Sequence, residues 1–352
     1  MKKKYSVVSL FSGCGGTDLG LEGNFTFLDK KFTENNFEII WANDIDANAC
    51  QTYKNNFSSS IICADIKDIL NNSYSRNLFD KPLPGEADVV IGGFPCQDFS
   101  LAGKRRGFNS ERGNLYQSMV EVVSRINPKI FLAENVKGLL SIHDGKAVNI
   151  IANDFASLGY KIQFKLFQVA DYGVPQNRER IIIVGTRNDL NLNNYKFPNE
   201  VFHQSKWITL GDCISDLENI QEGDMNNHYW SKAKMFPGTQ GNSLTSKTKA
   251  GPTMRAEHHG NIEFHWNGKR RLSAREAARI QSFPDNFKFY PSTSSAYRQI
   301  GNAVPPVFAW HIAQSVQEFL NDEKALFNIH KSKSDKKNSR KTPVLVSAGR
   351  SR

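Results

Sequence analysis

The sequence predicts an α/β protein built on a doubly wound, mostly parallel sheet, with a smaller irregular domain inserted near its C-terminal end. Three observations carry this. Short β-branched runs alternate with helical patterns through the first half of the 352 residues. A glycine-rich turn, Phe11-Ser-Gly-Cys-Gly-Gly16, follows the first apolar run and leads into a helix, the place where open α/β sheets bind nucleotide-like ligands. From about Asn188 to about Gly268 the alternation gives way to Asn-, Gly- and Pro-punctuated sequence, and regular patterns resume at Ser273.

Seven runs read as strands: Val7–Leu10, Ile39–Trp41, Ile61–Ala64, Val89–Ile91, Ile130–Ala133, Ile162–Phe167 and Arg180–Val184. Helical patterns lie between several of them, at Ala47–Asn56, Tyr116–Ile126 and Gly145–Ser157. Ser273-Ala-Arg-Glu276 supplies a capping box, in which two side chains satisfy backbone N–H groups reciprocally, so a helix is expected from there to about Gln281. Pro306 opens a last amphipathic helix, expected to end near Leu320.

Composition bounds the function classes. With 39% apolar residues the chain can bury a substantial core. Lys2, Lys3 and Lys4 ahead of Val7–Phe11 imitate a secretory signal, but that stretch is shorter than the roughly 7–15 apolar residues such a signal needs, and it runs into glycines. With no membrane-spanning candidate either, a cytoplasmic protein is expected. Five cysteines, at 14, 50, 63, 96 and 213, form no Cys-x-x-Cys pair, which argues against a disulfide framework and a zinc site. The net charge of +10 points to an anionic partner, yet Lys331 to Arg352 alone carries eight Lys or Arg against one Asp. Such an end is expected to be a solvated, disordered tail, here 328–352.

The loops after the strands carry the chemistry. After Gly13 and Gly15 the third position of a dinucleotide fingerprint falls on Asp18, and no Lys follows as in a P-loop. An adenosine-type ligand without phosphate therefore fits better than NAD. Asp44, ending the second strand, is placed to accept hydrogen bonds from ribose hydroxyls; Asp65, ending the third, could accept one from an adenine amino group. Gly92-Gly-Phe-Pro-Cys96-Gln follows the fourth strand and brings a thiol to the ligand crevice, Pro95 stiffening the approach. The fifth strand ends in Glu134-Asn-Val, and Asn177-Arg-Glu-Arg180 sets two guanidinium groups at the start of another. Thiolate is the reactive form of cysteine, and nearby cations lower its pKa. No His neighbours Cys96 in sequence, so a papain-like hydrolase fits poorly, although a histidine brought close by folding stays open.

FSGCGGTDLGLE, Asn43-Asp44, Asp65-Ile66, GGFPCQDFS, LAENVKGLL, DYGVPQNRERIIIVG, RRLSAREAARIQSFPD and YRQIGNAVPP occur together in this order. In that combination the sequence resembles the cytosine-5 DNA methyltransferases of prokaryotic restriction-modification systems. The resemblance implies the S-adenosylmethionine-dependent methyltransferase fold, S-adenosyl-L-methionine as methyl donor and double-stranded DNA as substrate. It implies that Cys96 adds to carbon 6 of a flipped-out cytosine and that Glu134 binds and protonates ring nitrogen 3. Arg180 would hold the carbonyl oxygen, with Arg178 supporting it or the thiolate. Flipping is a physical requirement, since a stacked base cannot present carbon 6 to a thiol. Carried over residue by residue, cofactor contacts fall on Phe11, Gly13, Gly15, Asp44, Ile45, Asp65, Ile66, Pro95, Leu115, Asn302 and Val304. Asp44 stands where the family more often has Glu, and Asn24 to Asn36 looks like an insertion to which no function is assigned.

The resemblance also divides the chain into a catalytic and cofactor-binding domain (1–187), a target-recognition domain (188–269), a return to the catalytic domain (270–327) and the tail. The segment from Pro95 to Asn114 would close over the DNA, its Lys104, Arg105 and Arg106 meeting phosphates. Asn188 to Asp224 holds two Lys against seven acids, whereas Met225 to Lys269 holds six Lys or Arg against two acids. The second half is thus the expected DNA face, through Lys232, Lys234, Lys247, Lys249 and Arg255. Two alternatives stand beside this: methylation of tRNA cytosine, against which the full inserted domain speaks, and an inactive regulator, against which intact Cys96, Glu134 and Arg180 speak. A monomer is expected, with a cognate restriction endonuclease acting independently.

Overall fold

The computed structural model describes residues 4–71, 82–94, 115–190, 195–236, 238–239, 241–256 and 262–338. Its strands are β1 (Tyr5–Leu10), β2 (Phe25–Phe27), β3 (Lys30–Phe32), β4 (Phe37–Asp44), β5 (Ile61–Cys63), β6 (Val89–Gly92), β7 (Ile130–Val136), β8 (Tyr160–Gln168) and β9 (Glu179–Arg187). Its α-helices are α1 (Gly16–Glu22), α2 (Ala47–Asn56), α3 (Ile66–Leu70), α4 (Leu115–Ile126), α5 (Lys146–Ser157), α6 (Leu210–Ile214), α7 (Ala274–Ile280), α8 (Thr293–Asn302) and α9 (Pro306–Asn338).

Seven strands form one sheet in the order β5-β4-β1-β6-β7-β9-β8. All seven are those expected from the sequence. Pairing is parallel from β5 to β7, and β9 runs antiparallel to both β7 and β8. From β1 the chain builds outward through β4 and β5, then returns to add β6 on the other side of β1. Connections on either side of that point depart in opposite directions, which opens a crevice at the carboxyl ends of β1 and β6.

Both faces of the sheet are covered, and this is why its strands read as nearly continuous apolar runs. Along β1, Val7 enters one core cluster while Val8 and Leu10 enter the other. On the second side, α4 buries Tyr116, Met119, Val122, Val123 and Ile126, and α5 buries Ala147, Val148, Ile151 and Phe155, both at helical spacing. On the first side α1 lies against α9. A Cβ on Gly20 would collide with the Ala309 side chain and the Pro306 carbonyl, so only glycine permits this approach.

One expectation is corrected, the end of the last helix, and two elements not foreseen are found. The insertion at 24–36 is a β2-β3 hairpin that closes the first core. Leu28 and Asp29, both left-handed (φ 46° and 60°), make its tight turn. Phe25 stacks on Phe32 at 4.9 Å, Phe32 meets Trp310 edge-on at 5.3 Å, and Trp310 Nε1 donates to the Thr33 carbonyl at 2.9 Å. The last helix does not stop near Leu320 but continues to Asn338, so 328–338, placed in the tail by composition, is helical; 339–352 lies outside the described residues. Helix α8, unforeseen, forms from a hydroxyl-rich stretch because Ser292 caps it and Ala296, Tyr297 and Ile300 are buried beneath. Among the described residues, no helix is long and apolar enough to cross a membrane.

Candidate active site

The carboxyl ends of β1, β4, β5, β6 and β7 lie along one edge of the sheet. At the end of β1 the chain turns through Phe11, Gly13 and Gly15, all left-handed (φ 53°, 56° and 93°). Glycine adopts this region freely, but at Phe11 it costs on the order of 1 kcal/mol, so other bonds must hold the loop. Ser12 N donates to the Asn43 carbonyl and Gly15 N to the Ser12 carbonyl, each at 2.9 Å. Gly13 N donates to Asp44 Oδ2 at 2.7 Å, and Asp46 N donates to Asp44 Oδ1 at 2.8 Å. Asp44 therefore braces the glycine loop from the end of β4. Burial pushes its pKa up while those N–H donors oppose the shift. A carboxylate oxygen accepts more than one hydrogen bond, so neither contact exhausts it.

Around this brace the expected cofactor residues fall into place unevenly. Ile45 is 69% exposed, an apolar side chain left in water at the strand edge. Asp65 caps α3, one oxygen accepting from Lys67 N at 2.9 Å. Phe11 and Leu115 are half-buried on the second core cluster. Ile66 is buried in that same cluster. Asn302 is exposed and Val304 half-buried. A Cβ on Gly16 would collide with the Val304 carbonyl, so folding packs this segment onto the start of α1.

Next along the edge, β6 and β7 end side by side, with Gly92 opposite Ala133. Asn135 Nδ2 donates to the Phe94 carbonyl at 3.0 Å, and a Cβ on Gly93 would stand 3.1 Å from Glu134 Oε2. The strand end leading to Pro95 and Cys96 is thereby fixed against the Glu134 carboxylate. Pro95, Cys96, Lys104, Arg105 and Arg106 themselves lie outside the described residues. Arg180 Nε sits 2.7 Å from Glu134 Oε1, the side chains only 11% and 20% exposed. Antiparallel pairing of Val136 with Arg180 starts β9 where β7 ends, and so joins residues far apart in sequence.

Arg178 is placed differently. It is buried, with Nη1 donating to the Met254 carbonyl at 2.7 Å and to Gln176 Oε1 at 3.4 Å, and Nη2 to the carbonyls of Gly301 (2.9 Å) and Ala303 (3.3 Å). Burial, and secondarily Arg180 nearby, depress its pKa. Its Nε has no partner among the described residues, and that nitrogen alone is left for the supporting role expected of it. Gln176 completes the knot, donating to the Ile280 carbonyl and Gln281 Oε1 and accepting from Met254 N.

Lys234, Lys247, Lys249 and Arg255 are exposed. Lys232 is exposed too but engaged: it pairs with Glu222 and lies 4.8 Å over the Trp230 ring, whose neighbour Arg270 sits at 4.6 Å. The arginines of RRLSAREAARI, unassigned by sequence reasoning, organise this region from within. Arg271 donates from Nε to the Ala233 carbonyl, from Nη1 to those of Gly241 and Ile262, and from Nη2 to the Lys234 carbonyl and Asn242 Oδ1. Arg275 holds Asn226, Asn227, Pro284 and Phe287; Arg279 holds Asp216 and Asp285. Asn43 and Asn135 were also missed, though each stands directly beside a strand-end acid, which was the available signal.

The chain matches the model of C-5 cytosine-specific DNA methylases over residues 5–249 and 238–318. It is 34% identical over 362 positions to the Type II methyltransferase M.NgoFVII of Neisseria gonorrhoeae, covering 93% of this chain and 90% of that protein. It is 36% identical over 354 positions to the Type II methyltransferase M.FnuDI of Fusobacterium nucleatum, covering 91% and 96%. The solved S. pombe Dnmt2 methyltransferase superposes with a TM-score of 0.62 at 17% identity, covering 90% of this chain and 99% of that one, a likeness of fold. With the sheet and its crevice formed as this family requires, and with its model matched from β1 to α9, the chain belongs to the C-5 cytosine-specific DNA methylases and is a DNA (cytosine-5-)-methyltransferase of the restriction-modification type.

Proposed function

We propose that the protein methylates a specific cytosine in double-stranded DNA, with S-adenosyl-L-methionine as donor and Cys96 as transient nucleophile. The observation that carries this is the Glu134–Arg180 pair standing against the strand end that leads to Cys96. The donor set at the crevice suits the cofactor. Asp44 and Asp65 retain acceptor capacity for ribose hydroxyls and an adenine amino group, Ile45 offers an apolar surface, and the Phe11–Gly15 loop carries no cation for a phosphate. When bound, S-adenosylmethionine supplies an electrophilic methyl group.

This chain's residues do the rest. The Cys96 thiolate forms a bond to carbon 6 of the flipped cytosine while Glu134 delivers a proton to nitrogen 3. The 5,6 double bond is consumed and its electrons make carbon 5 the nucleophilic end of an enamine, which would take the methyl group as the sulfur–methyl bond breaks and S-adenosylhomocysteine leaves. Loss of the carbon 5 proton to a solvent base then expels the thiolate, and nitrogen 3 returns its proton to Glu134, which restores the ring. Arg180, oriented by Glu134, donates to the carbonyl oxygen as charge builds on the ring. Arg178 holds the surrounding backbone and presents its Nε behind the site. Residues 188–269 read the target through their Met225–Lys269 half, with Lys234, Lys247, Lys249 and Arg255 on the phosphates or base edges. The enzyme acts as a monomer alongside an independent endonuclease.

Tritium transfer from labelled S-adenosylmethionine tests the reading, using unmethylated duplex DNA and tRNA with wild type and Cys96→Ser. Label in DNA that disappears in the variant supports it. Label in tRNA alone contradicts the DNA substrate, and no label in either contradicts the reaction.

A further inference from the structure

Beneath the glycine loop lies a polar chain that the catalytic reading does not use. Asp18 on α1 is fully buried; Ser9 donates to its Oδ1, its Oδ2 has no hydrogen-bond partner among the described residues, and the nearby hydroxyls of Ser9 and Tyr53, not a cation, oppose the rise in its pKa. Burial pushes its carboxyl up to about 6. An apolar residue here would escape that cost, so the carboxyl's retention in a packed core calls for something it does.

The hydrogen bonds have a single direction. Ser9 Oγ donates to Asp18 Oδ1 at 2.7 Å, and Ser12 Oγ approaches Ser9 Oγ at 2.8 Å and the Ser9 carbonyl at 3.0 Å. Asn43 N donates in turn to Ser12 Oγ at 3.3 Å. An ionised carboxylate only accepts, so Asp18 takes the Ser9 proton and leaves the Ser9 oxygen as acceptor; the single Ser12 proton then goes to Ser9 Oγ, the nearer partner, or to the Ser9 carbonyl, and either way a Ser12 lone pair accepts from Asn43 N on β4. Ser12 is the knot of the loop: its N–H, carbonyl and hydroxyl all bond within it or to β4, between left-handed Phe11 and Gly13. A strained backbone persists only where its surroundings over-determine it.

We propose that Asp18 is a positioning residue for the methyl-donor loop, acting through Ser9 and Ser12 to hold residues 11–15 in the conformation that receives S-adenosylmethionine. This rests on the cofactor placement proposed above. Asp18→Asn keeps an oxygen acceptor for Ser9 and preserves the chain's direction. Asp18→Leu removes it, and Ser12→Ala cuts it at the loop.

Calorimetric titration with S-adenosylhomocysteine is the test, alongside amide exchange of residues 11–16 in the unliganded protein. The expected result is that Ser12→Ala and Asp18→Leu each raise Kd about ten-fold and speed loop exchange, while Asp18→Asn stays near wild type. The cofactor KM rises without a matching fall in kcat. If Asp18→Leu does not fold, Ser12→Ala against Asp18→Asn decides. Unchanged Kd and unchanged loop exchange in the folded variants, whatever their melting temperature, would overturn the proposal. A wild-type protein that does not bind S-adenosylhomocysteine contradicts the cofactor reading instead; loop exchange then still decides whether Asp18 holds the loop.

Discussion

Arg180 Nε stands 2.7 Å from Glu134 Oε1, across the seam where antiparallel β9 begins and β7 ends. The pair fixes the orientation of two groups the reaction asks for, a proton donor and a cation for the ring oxygen. Glu134→Gln keeps the shape but has no proton to give, and Arg180→Ala removes the cation. Each is expected to lower the single-turnover methylation rate by about 100-fold or more while S-adenosylhomocysteine binding persists. Retained rates in both would contradict their roles.

Arg271 spends five donor contacts on Ala233, Lys234, Gly241, Asn242 and Ile262, with its guanidinium 4.3 Å over the Phe264 ring. Arg271→Met takes the guanidinium donors from the carbonyls of Ala233, Lys234, Gly241 and Ile262 and is expected to destabilise by about 3 kcal/mol in urea titration. Amide exchange should rise first around 233–242, and DNA affinity should fall while cofactor affinity stays. Loss of cofactor binding in parallel would place the effect elsewhere.

The aromatic hairpin packs as core. Phe32 is buried between Phe25 and Trp310, so Phe32→Ala is expected to cost about 3 kcal/mol, read by denaturant unfolding. A cost under about 1 kcal/mol would mean that the hairpin does not close the core.

Stability should also depend on pH through Asp18. Its folded pKa, about 6, is raised above the ordinary 3.8, so folding takes up a proton between those values and stability falls as pH rises through the window. Asp18→Asn removes the cost of the buried charge. It is expected to be more stable than wild type by on the order of 2 kcal/mol above pH 6, with the gain vanishing toward pH 4. Parallel melting curves across that range check it; a gain that does not shrink on acidification contradicts it. Glu22, which burial and then the Asp18 charge push up to about 7, and the Tyr53 hydroxyl, raised by burial and then by Asp18, face the same space, so the substitution also relieves part of the rise in both.

The strands were legible because both faces of the sheet are buried, which writes β-branched runs such as Val89–Ile91 directly into the sequence. The strand-end residues Asp44, Asp65 and Glu134 followed from topology alone. The β2-β3 hairpin was not legible: three-residue strands carry too little alternation, and its stability comes from Trp310, far away in sequence. The different roles of Arg178 and Arg180 came only from the family resemblance, not from the residues themselves. Two arginines two residues apart look equivalent until the fold surrounds one with the carbonyls of Met254, Gly301 and Ala303 and gives the other Glu134. The basic residues of α7 and its approach carried no assignment in the sequence, and the fold shows why they matter: Arg271, Arg275 and Arg279 are consumed by loop backbones and acids.

The central claim, that Cys96 bonds to the target ring, is tested most directly by trapping. In a duplex whose target cytosine carries fluorine at carbon 5, methyl transfer leaves no proton there to be lost, so the thiolate cannot be expelled. With S-adenosylmethionine present, wild type should form a DNA complex that survives denaturing electrophoresis, mapped by mass spectrometry to Cys96, and Cys96→Ser should form none. A wild-type enzyme that methylates ordinary duplex DNA yet yields no such complex, or one mapped to another residue, would contradict the account.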